Sequence, residues 1–245
     1  MNSYSDFAYV YDHLMHKDID YEKWADYIEN IFSMYDISPN LVCDLACGTG
    51  NMTIPLSKRG YDMTGIDISE DMLNIAREKA NDDNILFLNQ NISNVDLYGT
   101  MGAFTCMIDG VNYLISPKSL YNMFYRIKNC FLDKDGIFIF DISSRYKLKN
   151  IIGNNTFIHN EPSVFYSWQN RYIENKNLSD MFLTFFVKNK NSYHRFEERH
   201  LQRAYTPKEL IPMLKKAGFK RIDTFDELTF NPPSDTSERI VFVCK

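Results

Sequence analysis

The hydrophobic positions of this chain follow two different rhythms. Between residues 21 and 35, Trp24, Tyr27, Ile28, Ile31, Phe32 and Tyr35 recur three and four residues apart, which predicts an amphipathic helix. Short apolar runs follow at 41–46 (LVCDLA), 62–67 (DMTGID), 85–89 (ILFLN), 103–108 (AFTCMI) and 136–142 (GIFIFDI). Such runs, without alternation, predict strands covered on both faces. Helical stretches separate them: 52–59, then Ser69 as an N-cap with a helix through Ala80, then 118–131 behind Ser116 and Pro117. Strands alternating with helices predict a parallel sheet.

After residue 150 the pattern changes. Residues 163–203 hold three stretches of polar–apolar alternation, separated by the turn-like segments 174–177 (ENKN) and 189–192 (NKNS). This predicts an antiparallel meander with one wet face. Thr206 and Glu209 read as a capping box opening a helix that stops at Gly218, kinked at Pro212. Strands at 219–226 and 239–244 close the chain. No repeat or linker interrupts it. The expectation is one α/β domain over 1–245, with 1–40 as a helical cover and 154–205 as an antiparallel insertion.

Composition narrows the class. Hydrophobic residues make up 44% and charged residues 24%, which excludes a disordered tail, a collagen-like fibre and a small disulfide scaffold. Aromatics are 15%, enough for either a bulky core or an aromatic-lined pocket. The net charge of -5 gives no global pull toward nucleic acid or an anionic membrane. The local cluster Lys215, Lys216, Lys220 and Arg221 reads as a solvated helix end. The five cysteines imply no disulfide framework. Cys43 and Cys47 lack a second ligand pair, and His13, His16, His159 and His194 have no metal spacing, so no metal is expected. The first fifteen residues lack a signal-peptide pattern, and no apolar run could span a membrane, so a cytoplasmic protein is expected. Nothing in the sequence sets an oligomeric state.

The candidate chemistry lies in Asp44-Leu45-Ala46-Cys47-Gly48-Thr49-Gly50, between a strand and a helix, with Asp67 ending the next strand. The glycines allow a sharp turn and a close backbone approach to a ligand. In open α/β sheets ligands bind at the carboxyl ends of the strands. Asp67 is placed to accept both hydroxyls of an adenosine ribose. Two cofactors fit that outline. A dinucleotide wants G-x-G-x-x-G and a pyrophosphate on a helix N-terminus, but Thr53 occupies the third glycine position and Asp44 would repel the phosphates. S-adenosylmethionine has no phosphate and carries a sulfonium and an ammonium, which a carboxylate favours.

These residues resemble the class I S-adenosylmethionine-dependent methyltransferases. VCDLACGTGN (42–51) is similar to the family's first motif and GIDIS (65–69) to its second; LNQNIS (88–93) resembles the third, with Asn91 where an Asp is usual. FTCMIDGVNYL (104–114) and HLQRAYTPKELIPMLKKAGF (200–219) resemble segments of the small-molecule branch, in particular bacterial methyltransferases related to sugar-amine and glycine N-methyltransferases. The resemblance implies a Rossmann-like, seven-stranded, mostly parallel sheet of order 3-2-1-4-5-7-6 with the last strand antiparallel, and the meander as a lid.

It also implies roles. Gly48 and Gly50, with Cys47 and Thr49 between and beside them, would pass under the methionine part. Asp44 and the Ala46 carbonyl would lie near its ammonium. Asp67 would hold the ribose, with Ile68 and Met72 against adenine and Asn91 and Ile92 at its edge. Ile108 and Asp109 would face the methionine and the acceptor. Tyr11 and Trp24 would close over the cofactor; a helix packing stripe is the other reading of both.

Methyl transfer from a sulfonium is an in-line displacement, so the protein mainly aligns donor and acceptor. A hydroxyl acceptor would also need a general base, for which Asp109, Asn112 and Tyr113 are candidates. Tyr166, Trp168, Arg171, His200 and Arg203 are the meander's candidates for contacting the acceptor, with Arg171 or Arg203 meeting an anionic one. The expected function is methylation of a small molecule, on nitrogen more than oxygen. An NAD-dependent oxidoreductase and a non-catalytic S-adenosylmethionine-binding protein are the alternatives. Asn231-Pro232-Pro233 resembles an amide-gripping motif of some methyltransferases, but that motif belongs after the fourth strand, where this chain has Ile108-Asp109-Gly110. Nucleic acid is not the expected acceptor.

Overall fold

The computed structural model describes residues 18–81 and 84–245, together with residues 8, 10, 12, 14 and 15. Tyr11, one of the expected cofactor contacts, lies outside the described residues.

Helix α1 (Tyr21–Met34) starts at Asp20, whose carboxylate accepts from the Lys23 N–H. Alternating strands and helices follow: β1 (Leu41–Leu45), α2 (Thr53–Lys58), β2 (Asp62–Asp67), α3 (Glu70–Ala80), β3 (Leu86–Asn89), β4 (Met101–Cys106), α4 (Pro117–Arg126) and β5 (Leu132–Ser143). Ser69 and Ser116 cap α3 and α4, each accepting from the N–H three residues on. The segment expected as one helix to 131 is α-helical to Arg126 and finishes in a π turn (Ile127–Phe131). Strand β5 begins four residues earlier than its apolar run, because the exposed Asp133–Asp135 stretch hides the strand from a hydrophobicity reading.

Next come β6 (Thr156–Asn160), β7 (Val164–Ile173), β8 (Leu178–Asn189) and β9 (Ser192–Arg203), then α5 (Pro207–Ala217), β10 (Ile222–Asp226) and β11 (Arg239–Cys244). The meander has four strands where three were expected. Strand β6 is an edge strand, largely exposed on both faces, so it has no alternation to read. The Glu209 carboxylate accepts the Thr206 N–H, and α5 runs through Pro212.

The large sheet has the order β10-β11-β5-β4-β1-β2-β3. Strands β1 to β5 are parallel, and β11 runs antiparallel to both β5 and β10. This is the Rossmann-like order expected from the resemblance. The apolar runs are buried on both faces. Cys43, Leu45, Phe104, Phe138 and Phe140 pack toward α4 and α5, while Val42, Ala103, Ile137 and Ile139 pack toward α1. Fully burying each large side chain contributes about 1.5–3 kcal/mol, so this double-sided core holds the carboxyl ends of β1, β2, β4 and β5 in place. The small sheet, of order β6-β7-β8-β9, enters the chain between β5 and α5. Its register places Tyr166 opposite Phe185, Phe185 opposite Phe196, Met181 opposite His200 and Ser179 opposite Gln202.

Candidate active site

The chain leaves β1 through a turn with positive φ at Ala46 (54°), Gly48 (53°) and Gly50 (76°). A Cβ at Gly50 would meet the Ala76 Cβ at 3.2 Å, so this glycine serves both backbone conformation and helix packing. A Cβ at Gly48 would meet nothing within 4 Å; the turn is open on that side. The Gly48 N–H donates to Asp67 Oδ2 (2.9 Å) and the Ser69 N–H to Asp67 Oδ1 (2.8 Å). The turn after β1 and the end of β2 are thereby locked together. Burial raises the Asp67 pKa, against the pull of these N–H donors. Asp44 lies deeper. Its Oδ2 accepts from the Thr53 hydroxyl (2.7 Å) and its Oδ1 from the Thr105 hydroxyl (2.8 Å). Burial pushes its pKa up to about 6, with the two hydroxyls acting in the opposite direction. The Thr49 hydroxyl donates to Asp12, which also pairs with Lys79.

A narrow cavity of about 40 Å³ runs along this turn, between Tyr21, Asp44, Gly48, Met107 and Ile108. Tyr21 and Asn51 also line a neighbouring cavity of about 580 Å³. Among the described residues lining the narrow cavity there is a carboxylate but no Lys, Arg or His. That donor set suits a sulfonium or ammonium and leaves a pyrophosphate without a counter-charge.

Residues 42–134 match the family model described as a methyltransferase domain. YqeM of Bacillus subtilis (strain 168), a protein named as a methyltransferase, is 34% identical over 242 residues, 98% of this chain and 95% of that one. The crystal structure of an S-adenosylmethionine-dependent methyltransferase from Clostridium acetobutylicum ATCC 824 is 34% identical, with a TM-score of 0.90 over 100% of this chain and 99% of that chain. This chain belongs to the S-adenosylmethionine-dependent methyltransferases. Its cofactor is therefore S-adenosylmethionine. The sugar N-methyltransferase KedS8 from Streptoalloteichus sp ATCC 53650 shares the fold at 16% identity, with a TM-score of 0.77 over 96% of this chain and 91% of that chain.

Around the turn of this methyltransferase, Ile68 is 68% exposed beside Asp67, an apolar side chain that the core leaves uncovered. Met72 is partly buried against the Val10, Leu14 and Phe185 cluster. Asn91 uses its amide oxygen to accept the Ser93 N–H, and Ile92 turns its side chain into the core. Trp24 does not reach the cavity. It is 3% exposed in the α1 core stripe, edge-on to Tyr27, because its helix face packs onto the sheet. Tyr21, one turn earlier, lines the cavity instead. Being the first residue of α1, it lay at the edge of the helical periodicity that drew attention to Trp24.

A second cavity, of about 220 Å³, lies between the loops after β4 and β5 and the inner face of the small sheet. Ile108 lines both this cavity and the narrow one. Its φ is 56°, unusual for a β-branched residue, and Asp109 follows at 70°. Strain of this kind, of order 1–3 kcal/mol, persists only where the surroundings impose it. Here Asp109 is held by Arg239 (2.6 Å) and by the Ser143 hydroxyl (2.8 Å), and Arg239 also pairs with the buried Asp141. Burial works to raise the Asp109 pKa, but Arg239 and Lys147 outweigh it and hold the carboxyl below its ordinary range. Arg239 carried no local signal, since these partners lie 98 and 130 residues away in sequence.

Of the three catalytic candidates, Asn112 is corrected. It is fully buried and donates to the carbonyls of Ser143 and Arg203, while its oxygen accepts the Ser143 N–H. It fastens the loop to β5 and β9 and faces no ligand. Tyr113 lines the cavity, its hydroxyl 3.4 Å from His200 Nδ1; burial and the Asp109 charge push its pKa up to about 12. Burial lowers the His200 pKa.

The period of two along the meander sorts the acceptor candidates. Tyr166, Trp168 and His200 line the cavity. Arg171 is corrected: it lies on the opposite face, 70% exposed, and pairs with Asp180. Arg203 is corrected as well, since its guanidinium pairs with Glu209 and covers the Tyr205 ring. Four polar cavity residues were missed, Asp18, Ser143, Lys147 and Gln202. Gln202 could have been found, because it shares the strand face of His200 two residues away. Its Oε1, and the Trp168 Nε1, are buried with no hydrogen-bond partner among the described residues. Each such orphan costs about 1–3 kcal/mol.

Proposed function

We propose that this enzyme methylates an amine of a small molecule held in the 220 Å³ cavity. The observation that carries this is that Ile108 lines both cavities, so a donor on the glycine turn and an acceptor against the small sheet would lie on either side of one residue. S-adenosylmethionine supplies an activated methyl group when bound. Asp67 would hold its ribose: each carboxylate oxygen accepts one N–H and keeps lone pairs for a hydroxyl. Asp44 and the Ala46 carbonyl would face the cationic end, with Tyr21, Cys47, Gly48, Thr49 and Gly50 along the methionine part. Exposed Ile68 would cover one face of adenine, with Met72, Asn91 and the Ile92 backbone around it. The small sheet would act as the lid, and residues 1–40 as the cover.

Nitrogen is favoured over oxygen by the state of Asp109. A hydroxyl acceptor needs a strong proton acceptor in reach, and this carboxylate, bonded at Oδ1 by Arg239 and the Ser143 hydroxyl and held below its ordinary pKa by Arg239 and Lys147, is a weak base. A neutral amine attacks without a strong one. The aromatic walls, Tyr113, Tyr166, Trp168 and Phe185, also suit the positive charge that builds on an amine nitrogen as it takes the methyl group. The fold is shared with a sugar N-methyltransferase. The test is formation of S-adenosylhomocysteine from S-adenosylmethionine in the presence of paired small amines and alcohols. Turnover with amines alone is expected. Turnover with alcohols alone overturns the choice of nitrogen, and no turnover with either, despite cofactor binding, favours a non-catalytic role.

A further inference from the structure

The polar inventory of the acceptor cavity is uneven. Asp109 is paired with Arg239, and Tyr113 and His200 face each other at 3.4 Å. Lys147 also lines the cavity, and its charge acts on Asp109. Gln202 has its amide N–H side toward the Tyr113 hydroxyl, and its oxygen is the part left over. Gln202 is 4% exposed, it lines the cavity, and its Oε1 accepts from nothing among the described residues. Strand β9 fixes where it sits: Gln202 pairs with Ser179, and the next carbonyl, that of Arg203, is gripped by Asn112 from the loop that also carries Ile108. A buried amide oxygen in the wall of this cavity calls for an N–H or O–H donor from a ligand. The rest of the wall holds the carboxylate of Asp18 and the Ser143 hydroxyl, the latter spent on Asp109, among apolar and aromatic side chains such as Ile152, Tyr166, Met181 and Phe185. At about 220 Å³ the cavity has room for a single compact ring.

We infer that Gln202 is the residue that recognises the acceptor nitrogen, its Oε1 accepting an N–H of a primary or secondary amine carried on a compact apolar ring. Gln202 is a positioning and specificity residue. One N–H of the amine is tied to the carbonyl oxygen, which leaves the nitrogen lone pair free to be turned toward Ile108 and the donor side. In the transfer, the nitrogen–carbon bond forms as the carbon–sulfur bond breaks, and the sulfur keeps the electron pair as a neutral thioether. The methylated ammonium then loses its proton to solvent. A tertiary amine has no N–H left in its neutral form, so this recognition ends after at most two methylations. The inference rests on the acceptor side of the reading above.

The test uses the protein's own tryptophans. Trp24 is in the core and Trp168 lines the cavity, so Trp24→Phe leaves a single reporter at the acceptor site. In that background, with S-adenosylhomocysteine present, Trp168 fluorescence is titrated with cyclohexylamine and with N,N,N-trimethylcyclohexylammonium, which has the charge but no N–H. Gln202→Met should weaken cyclohexylamine roughly tenfold, the value of one hydrogen bond in a dry site, and leave the trimethylated probe within about twofold. Gln202→Glu, which keeps an acceptor oxygen, should strengthen cyclohexylamine more than the trimethylated probe and serves if the methionine variant does not fold. Equal effects on both probes, no effect on cyclohexylamine, or no cyclohexylamine binding at millimolar concentration overturns the inference. Calorimetric binding of S-adenosylhomocysteine is measured in parallel. If it persists while the amine fails, only the acceptor assignment falls; if it too is absent, the donor site falls with it.

Discussion

Asp67 and Asp44, on the parallel-sheet side of the site, have every carboxylate oxygen engaged by the chain, whereas Gln202 and Trp168, on the small-sheet side, have buried polar atoms with no partner among the described residues. The difference follows from construction. The donor side is built where three adjacent parallel strands end, so backbone N–H groups and neighbouring threonines converge on the carboxylates and fix them before any ligand arrives. The acceptor side is a wall of one antiparallel sheet, whose side chains point away from their own backbone and toward a cavity. Preorganisation is complete on one side and left to the ligand on the other. A donor site of that kind suits one invariant cofactor, and an acceptor wall of alternating side chains can be changed position by position.

Arg239 stands between the two sides, and its loss should have the largest effect. Arg239→Met leaves the fully buried Asp141 and the partly buried Asp109 without their cation, and urea unfolding should show a loss of about 3–5 kcal/mol. A loss below about 1 kcal/mol would mean that the ion cluster does not hold the strained Ile108–Asp109 turn. Asp67→Asn comes next. Calorimetry should show S-adenosylhomocysteine binding weakened about tenfold to a hundredfold, with the thermal midpoint little changed. Unchanged affinity would remove Asp67 from the donor side of the comparison.

Asp44 makes the comparison pH-dependent. Its pKa is raised from 3.8 to about 6 by burial, so the unfolded chain ionises first as pH rises. Below about 4 both states are protonated and the group costs nothing. Between about 4 and 6 its contribution becomes unfavourable, and above 6 it stays constant at about 3 kcal/mol. Asp44→Asn removes that titration. Unfolding curves from pH 4 to 8 should show the variant gaining on the parent through this window, then a constant difference; a flat difference throughout contradicts the buried, ionisable assignment. The smallest effect is expected on the outer face of the small sheet. Arg171→Ala should cost at most about 1 kcal/mol and leave cofactor binding untouched, because the pair it makes with Asp180 is 70% exposed on the arginine side. A large loss of cofactor affinity would place the outer face inside the site after all.

How far each side could be read in advance follows the same division. The glycine turn, Asp44 and Asp67 were legible because a strand, a turn and a helix within thirty residues build that geometry locally. Ser69 and Ser116 were legible as caps for the same reason. On the acceptor side, alternation told which meander residues share a face, but not which face turns inward. Arg171, three residues from Trp168 on the same strand, could not share its face and was chosen for its charge alone, while Tyr166, Trp168 and His200 line the cavity. Asn112 looked like a polar residue free for chemistry, since its three backbone partners come from β5 and β9 and leave no mark on its own neighbourhood.

By itself the sequence determined the strands and helices, the glycine turn with its two carboxylates and, through the resemblance these motifs carry, the family and the sheet order it implies, because the motifs depend on hydrophobic period and on residues close together in the chain. The tertiary structure alone decided that Arg239 neutralises Asp109, that Tyr21 and not Trp24 borders the cavity at the glycine turn, and that Gln202 has a buried oxygen without a partner among the described residues. Each of those depends on the direction in which a side chain leaves an element and on what a distant segment brings to meet it, and packing, not local propensity, sets both.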